Sequence, residues 1–169
     1  EIYLASHHEE KGLNVVSLRF FNVYGPNQDN RMVVPRFFEQ SIKNEPITVY
    51  GDGTQTRCFA HVSDVIDALL KVAGTDKTIG TVVNIGNNFE ISINRLAQKI
   101  IDDTQSRSKI VYVSYQEAYG DGFEDMERRV PNIDLIQHLV GWKPQRDLSE
   151  IISDISAEIK ESLERSDPA

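Results

Sequence analysis

The chain has 169 residues, 26 acidic and 18 basic side chains, a formal net charge of -8 and 40% hydrophobic residues. This balance excludes a disordered or fibrous class, and the acidic excess argues against general nucleic-acid binding, which needs clustered lysine and arginine. A single cysteine, Cys58, excludes an internal disulfide, no His/Cys group has zinc spacing, and no apolar run reaches the roughly 20 residues of a membrane span. One domain, a cytoplasmic location, no structural metal and no membrane contact are the resulting expectations, and the start "EIYLASHHEE" lacks the pattern of a signal peptide.

In chain order, Ile2 to Lys11 reads as a helix that stops at Gly12 and begins without a capping residue, like the second half of a helix whose start lies upstream. Asn14 to Phe21 is a strand apolar on both faces, as in a covered parallel sheet. Pro35 falls in a first helical turn, with Phe37, Phe38 and Ile42 at helical spacing and a stop before Pro46. "ITVYGDGTQTRCFAHV" predicts two short strands around the turn Gly51 to Gly53. Ser63 is positioned to cap the next helix, whose stripes Val65/Leu69/Val72 and Ile66/Leu70/Ala73 predict broad burial.

"TVVNIG" is a further buried strand closing on Gly86. Ser92 then caps a helix with Ile93, Leu96, Ala97, Ile100 and Ile101 on one face. The strand "KIVYV" leads into a Gly-rich, acidic loop from Ser114 to Val130, long enough to suggest a functional role. Pro131 opens a short helix ending at Gly141 and Trp142, and a last helix places Leu148, Ile151, Ile152, Ile155, Ile159 and Leu163 on one side before a frayed tail, "ERSDPA". Alternating strands and helices indicate an α/β fold, with too few strands for a complete doubly wound sheet and no Gly-x-Gly-x-x-Gly turn. The chain is therefore expected to be the back part of something larger.

Phe21 and Asn22 stand at the carboxyl end of a predicted parallel strand, where open α/β sheets place ligands. Asn22 either contacts a phosphate or sugar, or ties down the Gly25-Pro26 turn. Arg57 follows a Gly-rich turn; its fork suits a diphosphate, the alternative being a surface pair with Asp52 or Asp64. Arg128 and Arg129 bind an anion or join Glu124, Asp125 and Glu127 in a local salt-bridge cluster. His7, His8, His61 and His138 are scattered without an orienting partner, Cys58 reads as a small buried side chain, and Tyr119 and Trp142 read as packing residues. The residues by themselves reach an α/β ligand-binding part for a phosphorylated small molecule.

Four segments in register carry a resemblance: "LRFFNVYGP", "VVPRFFEQSIKNEPITVYGDGTQTRCFAHVSDVIDAL", "VVNIGNN" and "RRVPNIDLIQHLVGWKP". Together they resemble the C-terminal half of the extended short-chain dehydrogenase/reductases that act on nucleotide sugars, a group including UDP-glucose 4-epimerases, UDP-glucuronate decarboxylases and dTDP-glucose 4,6-dehydratases. The resemblance implies the last strands of an incomplete Rossmann-type sheet followed by a substrate lobe. Residues 1–33 would end the cofactor part, 34–165 form mainly the substrate lobe, and 166–169 the tail, all in one unit.

It also implies roles. Phe21 matches the residue beside the nicotinamide of NAD and Asn22 the one touching the sugar diphosphate. Met32 and Val33 match the loop whose backbone meets the nucleotide, and Thr48, Val49 and Tyr50 the segment lining the base. Arg57 matches the arginine on the diphosphate, Asn84 a further substrate-side position, and Arg129 an arginine near the diphosphate or ribose.

Three positions depart from the pattern: Arg57-Cys58-Phe59 lacks the common aspartate after the arginine, Gly122 stands where several members have arginine, and Asn132 replaces an aspartate at a helix start. The Tyr-x-x-x-Lys pair, the Gly-rich NAD turn and the catalytic Ser/Thr find no match and would lie upstream of Glu1. The resemblance thus implies a homodimeric parent that binds NAD mainly through the missing part and turns over a nucleotide sugar, most simply by 4-epimerisation of a UDP-hexose through a 4-keto sugar. The chain alone is expected to hold no catalytic residue and to be inactive, the alternative being a non-catalytic binding module.

Overall fold

A computed structural model describes the backbone of residues 1–166 and the side chains as far as Glu161. The elements run α1 (Ile2–Lys11), β1 (Ser17–Phe20), β2 (Val23–Tyr24), α2 (Val33–Ile42), β3 (Ile47–Tyr50), β4 (Thr56–Cys58) and β5 (Ala60–His61). Then follow α3 (Val62–Ala73), a 3-10 turn at Asp76–Thr78, β6 (Val82–Ile85), β7 (Glu90–Ser92) and α4 (Ile93–Thr104). The chain continues with β8 (Ile110–Val113), α5 (Tyr115–Tyr119), β9 (Arg128–Arg129), α6 (Asp134–Val140) and α7 (Leu148–Ser166). The fold is α/β, and the β1/β6, β2/β5, β3/β8 and β4/β9 pairs are parallel.

The chain forms two compact units, each assembled from three segments. The first takes Glu1–Tyr24, Cys58–Phe89 and Val130–Leu148; the second takes Gly25–Arg57, Glu90–Arg129 and the chain from Ser149 on.

In the first unit β1 pairs with β6 and β2 with β5. Val83 and Ile85 of β6, Val65, Ala68 and Val72 of α3, and Ile133, Ile136 and Trp142 make the core, with Val16, Leu18 and Val23 packed against it. The expected strand Asn14 to Phe21 shortens to β1 and is not covered on both faces: Arg19 and Phe20 are exposed, and Arg19 pairs with Glu1. Among the described residues β6 is the one strand partner of β1. Gly12 closes α1 in the left-handed region, as its place in the sequence predicts.

The α3 helix starts two residues earlier than a Ser63 cap requires. β5 runs directly into it, so His61 becomes the capping residue and its Nδ1 accepts from the Ser63 N–H at 3.1 Å. Broad burial also fails: Val65, Ala68 and Val72 are buried, whereas Ile66 and Leu70 are 51% and 69% exposed. The Trp142 indole is fully buried and donates to the Asp64 carbonyl oxygen at 3.0 Å. Asn132, just before α6, accepts from the Asp134 N–H at 2.8 Å, so the amide supplies the local turn that an aspartate would.

In the second unit β3 pairs with β8, and β4 lies between β7 and β9. The strands flanking Gly51 to Gly53 both form, yet each pairs elsewhere in the chain. The core is Val34, Phe37 and Phe38 of α2, Ile47 and Val49 of β3, Leu96, Ala97 and Ile100 of α4, and Ile151, Ile152 and Ile155 of α7. Pro35 sits in the first turn of α2, where its missing N–H costs nothing, and Ser92 caps α4 by accepting from the Arg95 N–H. The stretch Ser114 to Val130 is more ordered than a loop, because it contains α5 and β9. Likewise α7 is helical to Ser166, beyond the expected fraying point; residues 167–169 and the Leu163 side chain lie outside the described residues.

Candidate functional site

The chemistry of the second unit concentrates where β4 and β9 run side by side. Their register places Thr56 opposite Arg128 and Arg57 opposite Arg129. Directly paired strand residues share a face, so the ladder sorts the basic residues into two sets. On the Thr56 side, Glu90 of β7 accepts from the Thr56 hydroxyl at 2.8 Å and takes the Arg128 fork at 2.7 to 3.1 Å. The arginine holds the Glu90 carboxyl below the usual carboxylate range. Arg128 is therefore paired with Glu90 of the adjacent strand β7. The other face brings Arg57 and Arg129 together.

Arg57 is the more enclosed of that pair, its side chain 14% exposed. Nη1 donates to the carbonyl oxygens of Thr56 at 2.8 Å and Met126 at 2.7 Å, and Nη2 pairs with Asp125 Oδ1 at 2.6 Å. Its carboxylate is thus neither Asp52 nor Asp64, and the aspartate missing after Arg57 is replaced by one from the Ser114 to Val130 stretch. Sequence gives no spacing that joins Arg57 to Asp125; the β4 and β9 pairing does. The other Asp125 oxygen accepts from the Tyr115 hydroxyl at 3.2 Å, which itself accepts from Gln55 Nε2 at 2.9 Å. Burial first, then the Asp125 charge and hydrogen bond, push the Tyr115 phenol up to about 12.

Beside this network lies an aromatic patch. Tyr119 meets Tyr50 edge-on at 5.3 Å and stacks on Phe123 at 4.3 Å, while the Arg36 guanidinium lies 4.5 Å from the Tyr50 ring centre. Arg36 Nη2 also donates to the Thr48 carbonyl at 3.4 Å, and Gln40 bonds both the Thr48 N–H and its hydroxyl at 3.2 Å. Strand alternation turns Val49 fully into the core, so within the segment Thr48 to Tyr50 only Thr48 and Tyr50 offer side chains to a ligand. Met32 is the capping residue of α2 and 38% exposed, and Val33 is its first helical residue. Tyr115, Gln55, Arg36 and Asp125 were not distinguishable as site residues in the sequence, since each carries meaning only through partners distant in the chain.

The first unit holds Phe21, Asn22 and Asn84. Phe21 is half-buried against Gly86, where a Cβ would come within 2.8 Å of the Phe21 Cβ and 3.0 Å of Pro131. Glycine is what lets the end of β6 approach Phe21 and Pro131 this closely. Asn22 takes a positive φ of 42°, donates from Nδ2 to the Cys58 carbonyl at 2.9 Å and accepts from the Ala60 N–H through its own carbonyl at 3.0 Å. It does not tie down the Gly25-Pro26 turn; the Gly25 N–H goes to Gln28 Oε1 at 3.3 Å. Asn84 donates to the Asn132 carbonyl at 2.9 Å. Cys58 is buried, and among the described residues no cluster of metal-ligating side chains and no helix long and apolar enough to cross a membrane occurs.

The family model of the NAD dependent epimerase/dehydratase family matches residues 1–86, just over half the chain. The chain belongs to that family. Among curated members, a UDP-N-acetyl-alpha-D-glucosaminuronate decarboxylase of Bacillus cytotoxicus is 39% identical over 137 residues, 79% of this chain and 42% of the relative. Among solved structures, UDP-glucose 4-epimerase of Thermotoga maritima with UDP-glucose aligns at a TM-score of 0.85 and 28% identity, covering 96% of this chain and 51% of that one. UDP-glucuronic acid 4-epimerase of Bacillus cereus, solved with UDP-glucuronic acid and NAD, aligns at 0.83 and 26%, covering 94% and 48%. The chain thus spans about half the length of the family members it matches, and the Rossmann-type fold read from the sequence holds.

Proposed function

We propose that this chain is the nucleotide-sugar-binding part of an NAD-dependent sugar epimerase/dehydratase, with 4-epimerisation of a UDP-hexose as the parent reaction. The observation that carries the reading is the β4/β9 register, which sets Arg57 beside Arg129 on one face while Glu90 takes up Arg128. The planar forks of Arg57 and Arg129 suit the oxygens of a diphosphate. Tyr50, Thr48 and the backbone at Met32 and Val33 then take the base side. In the first unit Asn22 is the candidate contact to the sugar diphosphate and Asn84 a further substrate-side candidate.

Phe21, held against Gly86, fits a wall for a flat ring, so it would line the nicotinamide when NAD is bound. NAD supplies the hydride acceptor that makes a 4-keto sugar accessible. The residues of this chain grip and orient substrate; the base that removes a sugar proton is not among the positions that match the family pattern. The isolated chain is therefore inactive, and its parent a cytoplasmic homodimer, as the family resemblance supports. A second reading, decarboxylation of a UDP-uronic acid, is favoured by the 39% identical decarboxylase. A dTDP-glucose 4,6-dehydratase parent, or a binding module without catalysis, are the remaining readings.

The test is titration of UDP, UDP-glucose and UDP-glucuronic acid into the purified chain, followed by NMR into the millimolar range. Weak binding of all three, lost in Arg57→Met and Arg129→Met, is expected; absence of any UDP response refutes the reading. Turnover of UDP-glucose by the 169-residue chain refutes the claim of inactivity, and tight binding identifies a stand-alone module.

A further inference from the structure

Arg57 Nη2 and the Tyr115 hydroxyl converge on one group, the Asp125 carboxylate, from 2.6 Å and 3.2 Å. Both donors are aimed by other contacts. Arg57 Nη1 is fixed by the Thr56 and Met126 carbonyls, and Gln55 Nε2 bonds both the Tyr50 carbonyl and the Tyr115 oxygen at 2.9 Å. Because the Tyr115 oxygen accepts from Gln55, its own proton is left for Asp125. Gly51 permits this placement: a Cβ there would meet the Tyr115 ring at 2.7 Å.

The carboxylate itself is held less firmly than its donors. Its remaining contact is the Met126 N–H at 2.9 Å, and its side chain is 31% exposed against 14% for Arg57. Gly120 and Gly122, at φ +84° and +85°, have open space where a Cβ would stand. A rotation about the Asp125 side-chain bonds frees both donors while the Met126 carbonyl still steadies Arg57. An enclosed guanidinium without an anion is costly, which gives Asp125 a reason to sit there in the free chain.

We propose that Arg57 and Tyr115 form a two-donor seat for a phosphate group, that Asp125 occupies it as an internal stand-in, and that an incoming phosphate takes it by displacing Asp125. The proposal rests on the nucleotide-diphosphate reading above and adds Tyr115 as a binding residue and Asp125 as a competitor. A phosphate oxygen replaces each carboxylate oxygen, and Arg129, beside Arg57 in the ladder, adds charge that favours the more highly charged anion. Asp125 regains its hydration on release.

A stand-in present in nine of ten molecules raises an apparent Kd about tenfold. NMR titration of the full 169-residue chain with UDP and with inorganic pyrophosphate, for wild type, Asp125→Ala and Asp125→Asn, measures this tax. Both probes are expected to bind Asp125→Ala about tenfold more tightly, with a smaller gain of the same sign for Asp125→Asn. Adding Tyr115→Phe to Asp125→Ala is expected to weaken both about fivefold. The spectra themselves report whether each variant is folded, and Asp125→Asn keeps the side-chain volume if the alanine variant is not.

If wild type binds UDP but the Asp125 variants bind equally or more weakly, the stand-in is refuted while the nucleotide reading survives. A gain seen with UDP and not with pyrophosphate refutes displacement at the phosphate. No response to UDP in any variant overturns the nucleotide reading, and this inference with it.

Discussion

The Trp142 indole and the Asp64 main-chain carbonyl meet at 3.0 Å, and the Asp64 carboxylate, itself buried, receives the Gln145 and Arg146 N–H groups at 3.0 and 2.9 Å and Arg146 Nη1 at 3.1 Å. One residue of α3 therefore fastens the segment that follows α6. Asp64→Ala orphans these donors and is expected to cost about 2–4 kcal/mol, measured as a drop in urea midpoint, with Asp64→Asn costing less. An alanine variant as stable as wild type would show that the segment is held by Trp142 packing alone.

Gly53 and Asn94 make a second fastening. The Asn94 N–H donates to the Gly53 carbonyl at 3.0 Å and its side-chain amide to the Asp52 carbonyl at 2.9 Å. Gly53 has φ +73°, and a Cβ there would intrude on the Asn94 amide. Gly53→Ala is expected to lose about 1–3 kcal/mol by thermal unfolding. The same loss in the Asn94→Ala background would rule out the steric part of this account and leave only backbone strain.

The two predicted serine caps separate cleanly. Ser92→Ala removes the acceptor of the Arg95 N–H and should cost about 1 kcal/mol. Ser63→Ala removes no cap, since His61 does that work, and should stay within about 0.5 kcal/mol. Equal losses in denaturant melts would contradict the assignment of His61.

Core and surface positions on neighbouring helices should diverge more widely. Phe37 is fully buried on α2, and Phe37→Ala is expected to cost about 3–5 kcal/mol. Ile66, apolar but half-exposed on α3, should tolerate Ile66→Ser within about 0.5 kcal/mol. A large loss at Ile66 would mean that this face is covered by something in solution.

Tyr115 sets an alkaline signature. Its phenol is raised from the ordinary value of about 10 to about 12, so between these limits the folded chain retains a proton that the unfolded chain has released. Stability is therefore unaffected by this group below about pH 10 and falls as pH rises towards about 12. Urea midpoints across that window should fall less steeply for Tyr115→Phe than for wild type. Indistinguishable slopes would remove Tyr115 as the responsible group.

Sequence made legible whatever depends on neighbours a few residues apart. Ser92 and Gly12 mark their helix ends, Pro35 its first turn, and the helical spacing of Ile93, Leu96, Ala97 and Ile100 a buried face. The readings that failed needed a partner from elsewhere: whether Ile66 or Phe20 is covered, which strand β4 joins, and which carboxylate Arg57 meets. Arg57 and Arg129 are candidates both from the residues and from the family resemblance, but that their positions share a face, and that Arg128 pairs with Glu90, follows only from the ladder.

The parallel ladders have a consequence for how the chain reaches this structure. Ser17 pairs with Val82, Ile47 with Ile110 and Thr56 with Arg128, and none of these pairings joins two strands by a tight hairpin. Each ladder must close a long loop before any of its hydrogen bonds form, which places the chain among slow folders with high contact order. Refolding from urea should run on the slow side of the millisecond-to-second range, and its yield should fall as protein concentration rises, because open strand edges persist while the distant partner is still being found.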